Sequence, residues 1–174
     1  VIVHLDESGA ILRIPVYRGA RLFTWALVDE MDYPLAIQWR WTAAIKNHLG
    51  EDQYAMTWDA EAKRSILMHR MIMGRVRGDR TVVDHKNGNG FDNTRSNLRV
   101  CTQAQNMQNQ RKRCGTTSRF RGVTRRRGRW IAQAKLAGEV HYLGTYDLEE
   151  QAAEVSAAFR AEHYTHNDRE RAEL

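Results

Sequence analysis

Through the first 68 residues the apolar positions fall in short β-branched and aromatic runs, "ILRIPVY", "RLFTWALV", "YPLAIQWRWTA" and "QYAMTW", separated by polar turns. Runs of that length and composition predict strands, so residues 1–68 read as a strand-rich N-terminal part. Leu67 to Met73 is a compact apolar element that predicts a short helix closed by Gly74. Val82-Val83 opens a strand, Asn87 to Asn93 is a turn-rich loop, and Leu98-Arg99-Val100 is a return strand. Thr102-Gln103-Ala104-Gln105 has the form of a capping box and predicts a helix from Gln103, with Asn106 about one turn inside it. Residues 69–110 therefore read as a ββα unit. Residues 111–117 form a basic linker with a glycine. Residues 118–164 hold three strands and a helix, and 165–174 are a tail. From Arg129 to Leu136 the chain alternates, with Trp130, Ala132, Ala134 and Leu136 on one face and Arg129, Ile131, Gln133 and Lys135 on the other. Asp147 and Glu150 are placed to cap the helix, whose Leu148, Ala152, Val155 and Phe159 recur at helical spacing. The paired alanines let that helix sit close to the sheet and leave the basic face open.

Charge sharpens this division. Lys and Arg number 27 against 21 Asp and Glu, a net +6, and ten of the basic residues lie between Arg111 and Lys135 with no acid among them. A basic block confined to one stretch points to a polyanionic partner; a solvated basic linker is the alternative. Two cysteines, Cys101 and Cys114, make neither a disulfide framework nor a four-ligand zinc site, which points to the cytoplasm. No stretch approaches the roughly 18 apolar residues of a membrane span, and no signal-peptide pattern opens the chain, so membrane and secretory readings drop out.

The candidate chemistry sits in "VVDHKNGNGFDN", where Asp84 and His85 meet the turn-rich loop. Phosphodiester hydrolysis needs charge stabilisation at the scissile phosphate and a base for water, both held in fixed geometry. Histidine is mostly neutral at pH 7 and suits the base. Aspartate is a hard oxygen donor that suits Mg²⁺, an ion that keeps much of its water and takes one or two protein ligands. As strand neighbours, Asp84 and His85 point to opposite sides, and a helix beside the strand can add a second oxygen donor.

"ILMHRMIMG" followed by "VVDHKNGNGFDNTRSNLRVCTQAQNMQN" resembles the HNH homing endonucleases of the phage intron type. The resemblance places the motif's Asp and His at Asp84 and His85 and its central Asn at Asn97. Its last position falls at Asn106, where the eponymous pattern has His. It implies a ββα-metal unit in which Asp84 and Asn106 hold a divalent ion, Mg²⁺ or alternatively Mn²⁺. His85 then activates water, and Asn97 braces the hairpin so as to fix His85. The products implied are a 3′-hydroxyl and a 5′-phosphate. His69, in the "MHR" element, is an auxiliary candidate for packing or DNA contact. Asn87, Asn89 and Asn93 read as loop formers.

Residues 118–164, with "FRGV", "GRW" and "YLGTYDLEEQAA", resemble the Apetala-two/ethylene-response-factor DNA-binding domain. That implies a three-stranded antiparallel sheet in the major groove of double-stranded DNA, backed by one helix. Positions matching the contact residues are Arg121, Arg126, Arg129, Lys135 and Tyr142, the last where the family usually has Trp. Gln133, Thr124 and Val140 depart from it and put the plant family's target sequence out of reach. Arg125 and Arg127 extend the basic set, and Arg and Gln are suited to guanine and adenine. The chain thus reads as an α+β protein: a metal-dependent DNA endonuclease of a phage or mobile element, acting as monomer or homodimer, by nicking or by double-strand cleavage. A non-cleaving DNA-binding regulator is the alternative.

Overall fold

The computed structural model describes residues 2–6, 9–45, 53–76, 78–110 and 117–171. Most of the basic linker, residues 111–116, lies outside them, as does Cys114. The chain divides into two compact units, Val1–Cys101 and Thr102–Leu174. The division falls after Cys101.

The first unit is built on a six-stranded sheet: β1 (Ile2–Asp6), β2 (Gly9–Arg18), β3 (Arg21–Asp29), β4 (Trp41–Ile45), β5 (Gln53–Asp59) and β6 (Arg64–Leu67). The order is β1-β2-β4-β5-β6, with β3 also paired to β2. Alternation along β2 and β3 sends Ile14, Val16, Ala26 and Val28 to one face, where Trp41, Ala55, Met68, Ile72, Val83 and Leu98 complete a single core. Trp41 is wholly buried there, and its indole N–H is satisfied by Ala36 O at 2.8 Å. Ala36 ends α1 (Tyr33–Ala36), and α2 (Met68–Ile72) follows β6 directly. Gly74, at φ +62°, closes α2 as the sequence predicts.

Two further strands, β7 (Val82–His85) and β8 (Leu98–Cys101), pair antiparallel in the register Val82↔Cys101, Val83↔Val100, Asp84↔Arg99 and His85↔Leu98. Val83 and Leu98 join the core of the large sheet, so the hairpin is anchored by its apolar side.

The second unit opens with α3 (Gln103–Gln108), which starts on the expected capping box: Thr102 Oγ1 accepts from Gln105 N, and Gln105 Oε1 accepts from Thr102 N. The helix end is held by later residues, which explains where the chain divides. Arg121 donates to Met107 O and Gln108 O, and Gln108 Oε1 accepts from Thr165 N and His166 N. Strands β9 (Val123–Arg126), β10 (Arg129–Leu136) and β11 (Glu139–Tyr146) form an antiparallel sheet in the order β11-β10-β9, packed on α4 (Glu149–His163). Ala132, Ala134, Ala152 and Ser156 are buried at this contact, so small side chains bring helix and sheet together.

Gly122 belongs to the same close approach. A Cβ there would stand 2.2 Å from Ser156 Oγ and 2.4 Å from Gln133 O, and its φ of +75° is a conformation other residues rarely adopt. Arg160 is buried inside the unit and is neutralised by Glu170 from α5 (Asp168–Arg171), within the expected tail. Its Nη1 also donates to Arg121 O at 3.1 Å.

Two expectations about α4 change. Leu148, not Asp147, is the N-cap and makes no side-chain cap bond; Asp147 is drawn instead to Arg129 Nε at 3.0 Å. Leu148 is exposed, and the buried positions are Ala152, Ser156 and Arg160, so the inner stripe is turned from the expected one.

Candidate active site and candidate nucleic-acid surface

The loop between β7 and β8 is rich in asparagine, aspartate and glycine because it must satisfy its own backbone. Asn87 Oδ1 accepts from Asn89 N at 2.8 Å, and Asn89 Oδ1 accepts from Phe91 N at 3.1 Å. Asp92 accepts from Thr94 Oγ1 at 2.8 Å and from Asn87 Nδ2 at 2.7 Å. Asn97 closes the loop from its far end: its Oδ1 accepts from Asn87 N at 3.0 Å and its Nδ2 donates to Asp92 O at 2.8 Å. One side chain thus ties both ends of the turn to the base of the hairpin.

Asp84 and His85 leave β7 into different surroundings. Asp84 receives Arg99 Nε at 3.0 Å and Nη2 at 2.7 Å from directly across the ladder. His85 is buried, with Nε2 3.4 Å from Asn93 Oδ1. The His69 ring meets it edge-on at 4.9 Å between centroids, and Tyr54 lies 5.6 Å from His85 and 5.1 Å from His69. The ring of the candidate base is therefore wedged between an amide and two aromatic rings. Cys101, at the end of β8, is buried as well; burial pushes its thiol up to about 11, with the Asp84 charge adding to the shift.

Asn106 lies on α3, in the second unit. Among the described residues no group of three or more His, Cys, Asp and Glu side chains is assembled to hold a metal. Within the first unit Asp84 offers a single carboxylate as oxygen donor, too few and too hard for structural zinc and of the kind that a hydrated divalent ion takes.

Cross-strand pairs share a face. The pairs Arg126↔Arg129, Thr124↔Ile131, Gln133↔Tyr142 and Lys135↔Val140 therefore put Arg126, Arg129, Gln133, Lys135 and Tyr142 on one side of the β9–β11 sheet, away from α4. Tyr142 is two-thirds exposed, and its hydroxyl lies 2.6 Å from Thr145 Oγ1. Arg127, at φ +51°, and Gly128 make the turn into β10.

Two arginines of the expected set stand apart. Arg125 pairs with Trp130, on the helix side, and its guanidinium lies 5.3 Å from that ring. Arg121 points inward to Met107 O, Gln108 O, Asn167 Oδ1 and Glu170. Burial beside Arg160 lowers the pKa of its guanidinium. Arg121 is part of the scaffold of the second unit.

The sequence assigns Asn93 to the loop alone and gives no role to Arg99, Arg95 or Tyr54. A signal for Arg99 was present: pairing His85 with Leu98, next to Asn97, sets Arg99 opposite Asp84. Asn93 looks like any other loop asparagine, and nothing local separates it from Asn87 or Asn89.

Residues 65–108 match the family model described as HNH endonuclease, and this part of the chain carries an HNH endonuclease domain. The chain is also similar to an uncharacterized HNH endonuclease of Acanthamoeba polyphaga mimivirus, 28% identical over 144 residues, covering 79% of this chain and 68% of that protein. No solved structure matches it. Both likenesses point to a nuclease, and hence to DNA as what it binds. No helix among the described residues is long and apolar enough to cross a membrane.

Proposed function

We propose that the chain is a metal-dependent DNA endonuclease of the homing type, encoded by a phage or other mobile element and active on a defined DNA site. The observation that carries this reading is the β7–β8 hairpin. It buries Asp84 and His85 side by side, braces the turn with Asn97 and confines the His85 ring with Asn93, His69 and Tyr54.

In this reading His85 takes a proton from a water molecule. The hydroxide formed attacks phosphorus, the bond to the 3′ oxygen breaks, and that oxygen takes a proton from a second water molecule, leaving a 3′-hydroxyl and a 5′-phosphate. By the resemblance, Asp84 and Asn106 would be the oxygen donors to a divalent ion, Mg²⁺ or Mn²⁺, which when bound would supply charge stabilisation at the phosphate and the leaving oxygen. Asn97 acts through the backbone of the turn. His69 is an auxiliary that packs on His85.

The β9–β11 face anchors duplex DNA in the manner of an Apetala-two-type domain over residues 118–164. Arg126, Arg127, Arg129 and Lys135 grip phosphate, while Gln133 and Tyr142 face the bases. One hairpin supplies one active site, so a monomer nicks and double-strand cleavage takes a homodimer or two sequential cuts.

The alternative is a DNA-binding regulator that does not cut. Two observations favour it: His85 is only 4% exposed, and the Asp84 carboxylate is engaged by Arg99. Incubation with supercoiled plasmid carrying the natural insertion locus separates the two. The nuclease reading expects nicked or linear product with Mg²⁺, none with EDTA, and none from His85→Ala. An intact plasmid under all three conditions, with the DNA bound, supports the regulator.

A further inference from the structure

The first unit holds a polar anchor that the nuclease reading does not use. Arg95, in the turn before β8, directs Nε to Asp32 Oδ2 and Nη2 to Asp32 Oδ1, both at 2.8 Å. Its Nη2 also donates to Ile72 O at 3.2 Å, and its backbone N–H donates to Asp29 Oδ2 at 2.7 Å. Asp29 ends β3 and Asp32 lies in the single 3-10 turn that follows; both are buried.

Taking two carboxylates out of water is costly unless hydrogen bonds and opposite charge are returned to them, and a guanidinium fork on a carboxylate returns both in one geometry. A loop that only has to connect two strands does not need such an arrangement. Beside it the backbones are joined as well: Leu27 N–H donates to Phe91 O and Asn93 N–H to Leu27 O, each at 2.8 Å. Residues 91–95 are therefore fixed to the end of β3 from both sides of Asn93. Asn93 itself has no exposure, and its amide oxygen is the one that meets His85 Nε2.

We infer that Arg95, Asp29 and Asp32 form a clamp that sets the position of Asn93 and, through it, the orientation of the His85 ring. The N-terminal sheet is then a positioning part of the active centre, joined to it by residues more than sixty positions apart in the chain. The inference rests on the reading of His85 as the base. Arg95, Asp29 and Asp32 are positioning residues; none of them touches DNA in it.

The test uses the full chain labelled with ¹³C,¹⁵N-histidine, with the His85 ring signals assigned by their loss in His85→Gln. Asp32→Asn removes the charge and one of the two acceptors of the fork. The His85 signals are expected to shift or broaden while those of His141 and His163 stay in place. Single-turnover nicking at saturating DNA is expected to fall by about tenfold or more, within the range that misplacement of a reacting group produces, with DNA affinity unchanged. Asp32→Glu restores two acceptor oxygens and should recover part of the loss.

If Asp32→Asn fails to fold, Arg95→Lys keeps a cation beside the buried carboxylates, lacks the fork, and should give the same signature. Thr57→Val is the control: it removes a buried hydrogen bond to Arg40 O in the same unit, remote in sequence from the clamp, and should leave the His85 signals alone. Unchanged His85 signals in whichever clamp variants fold, or shifts no larger than those of Thr57→Val, would overturn the inference and leave the clamp a purely structural anchor. A wild-type chain that does not nick DNA would count against the nuclease reading alone, since the ring signals decide the clamp in either case.

Discussion

Around the β7–β8 hairpin Asp84, His85, Asn93 and Asn97 are all buried, while on the β9–β11 sheet Arg126, Arg127, Lys135 and Tyr142 stand in solvent. The contrast follows from what each set is suited to do. Buried polar groups must be satisfied by specific partners, and the hairpin supplies them from its own loop, from Arg99 and from the end of β3. The result is fixed geometry, which chemistry needs. The sheet face keeps its charges hydrated on long side chains, which in the proposed reading is where phosphate is met. Burial of polar groups therefore marks the candidate site in the first unit, and their display marks the candidate surface in the second.

The largest effect is expected at His85. His85→Ala is expected to lower the cleavage rate by about 10² to 10⁴, the usual worth of a positioned general base, with DNA affinity held within about twofold. Gly122→Ala attacks the second unit from inside: a methyl against Ser156 Oγ and Gln133 O at positive φ should destabilise it by about 2–4 kcal/mol. A melt of that unit should shift down while the histidine signals of the first unit persist.

The next effects are smaller and graded. Arg126→Glu combined with Lys135→Glu should weaken DNA binding at all sequences and reduce the slope of log affinity against log salt by about 2, measured by titration over a salt series. Asn97→Ala leaves Asn87 N–H and Asp92 O without a partner they now have, which should cost about 1–3 kcal/mol in chemical denaturation of the first unit.

The smallest effect is acid sensitivity of the second unit. Burial alone would raise the Glu170 pKa, but hydrogen bonds from Arg160 and Asn167 and the charges of Arg160 and Arg121 outweigh it and hold the carboxyl below its ordinary value of 4.5. A folded pKa below the unfolded one gives stability that is full above the unfolded value and is lost as pH falls through the folded one. The melting temperature of this unit should thus decline below about pH 4.5, and Glu170→Gln should flatten that decline.

What the chain discloses by itself depends on how far apart the partners are. The Thr102–Gln105 capping box is legible because both halves lie within four residues. The alternation of β10 is legible because a strand has period two, and the structure buries Ala132 and Ala134 as that pattern requires. The Asp84, His85 and Asn97 spacing is local to one hairpin, so its geometry follows once the turn is known. The Arg95–Asp32 fork is not legible, since its halves stand 63 positions apart and each looks like an ordinary charge near a turn. Arg121 sits in a basic run and reads as a DNA contact, yet Asn167 and Glu170 from the far end of the unit draw it inward. Asp147 has the position of a cap, but the nearby Arg129 competes for its carboxylate.

Cutting and gripping are separated most directly by measuring saturated single-turnover cleavage rate and DNA affinity together, in the full chain, for His85→Ala and for the Arg126→Glu, Lys135→Glu pair. Separation is expected: the first variant loses rate and keeps affinity, the second loses affinity and keeps the rate at saturation. Loss of the same parameter in both would contradict the assignment of cutting to the buried hairpin and of gripping to the exposed sheet.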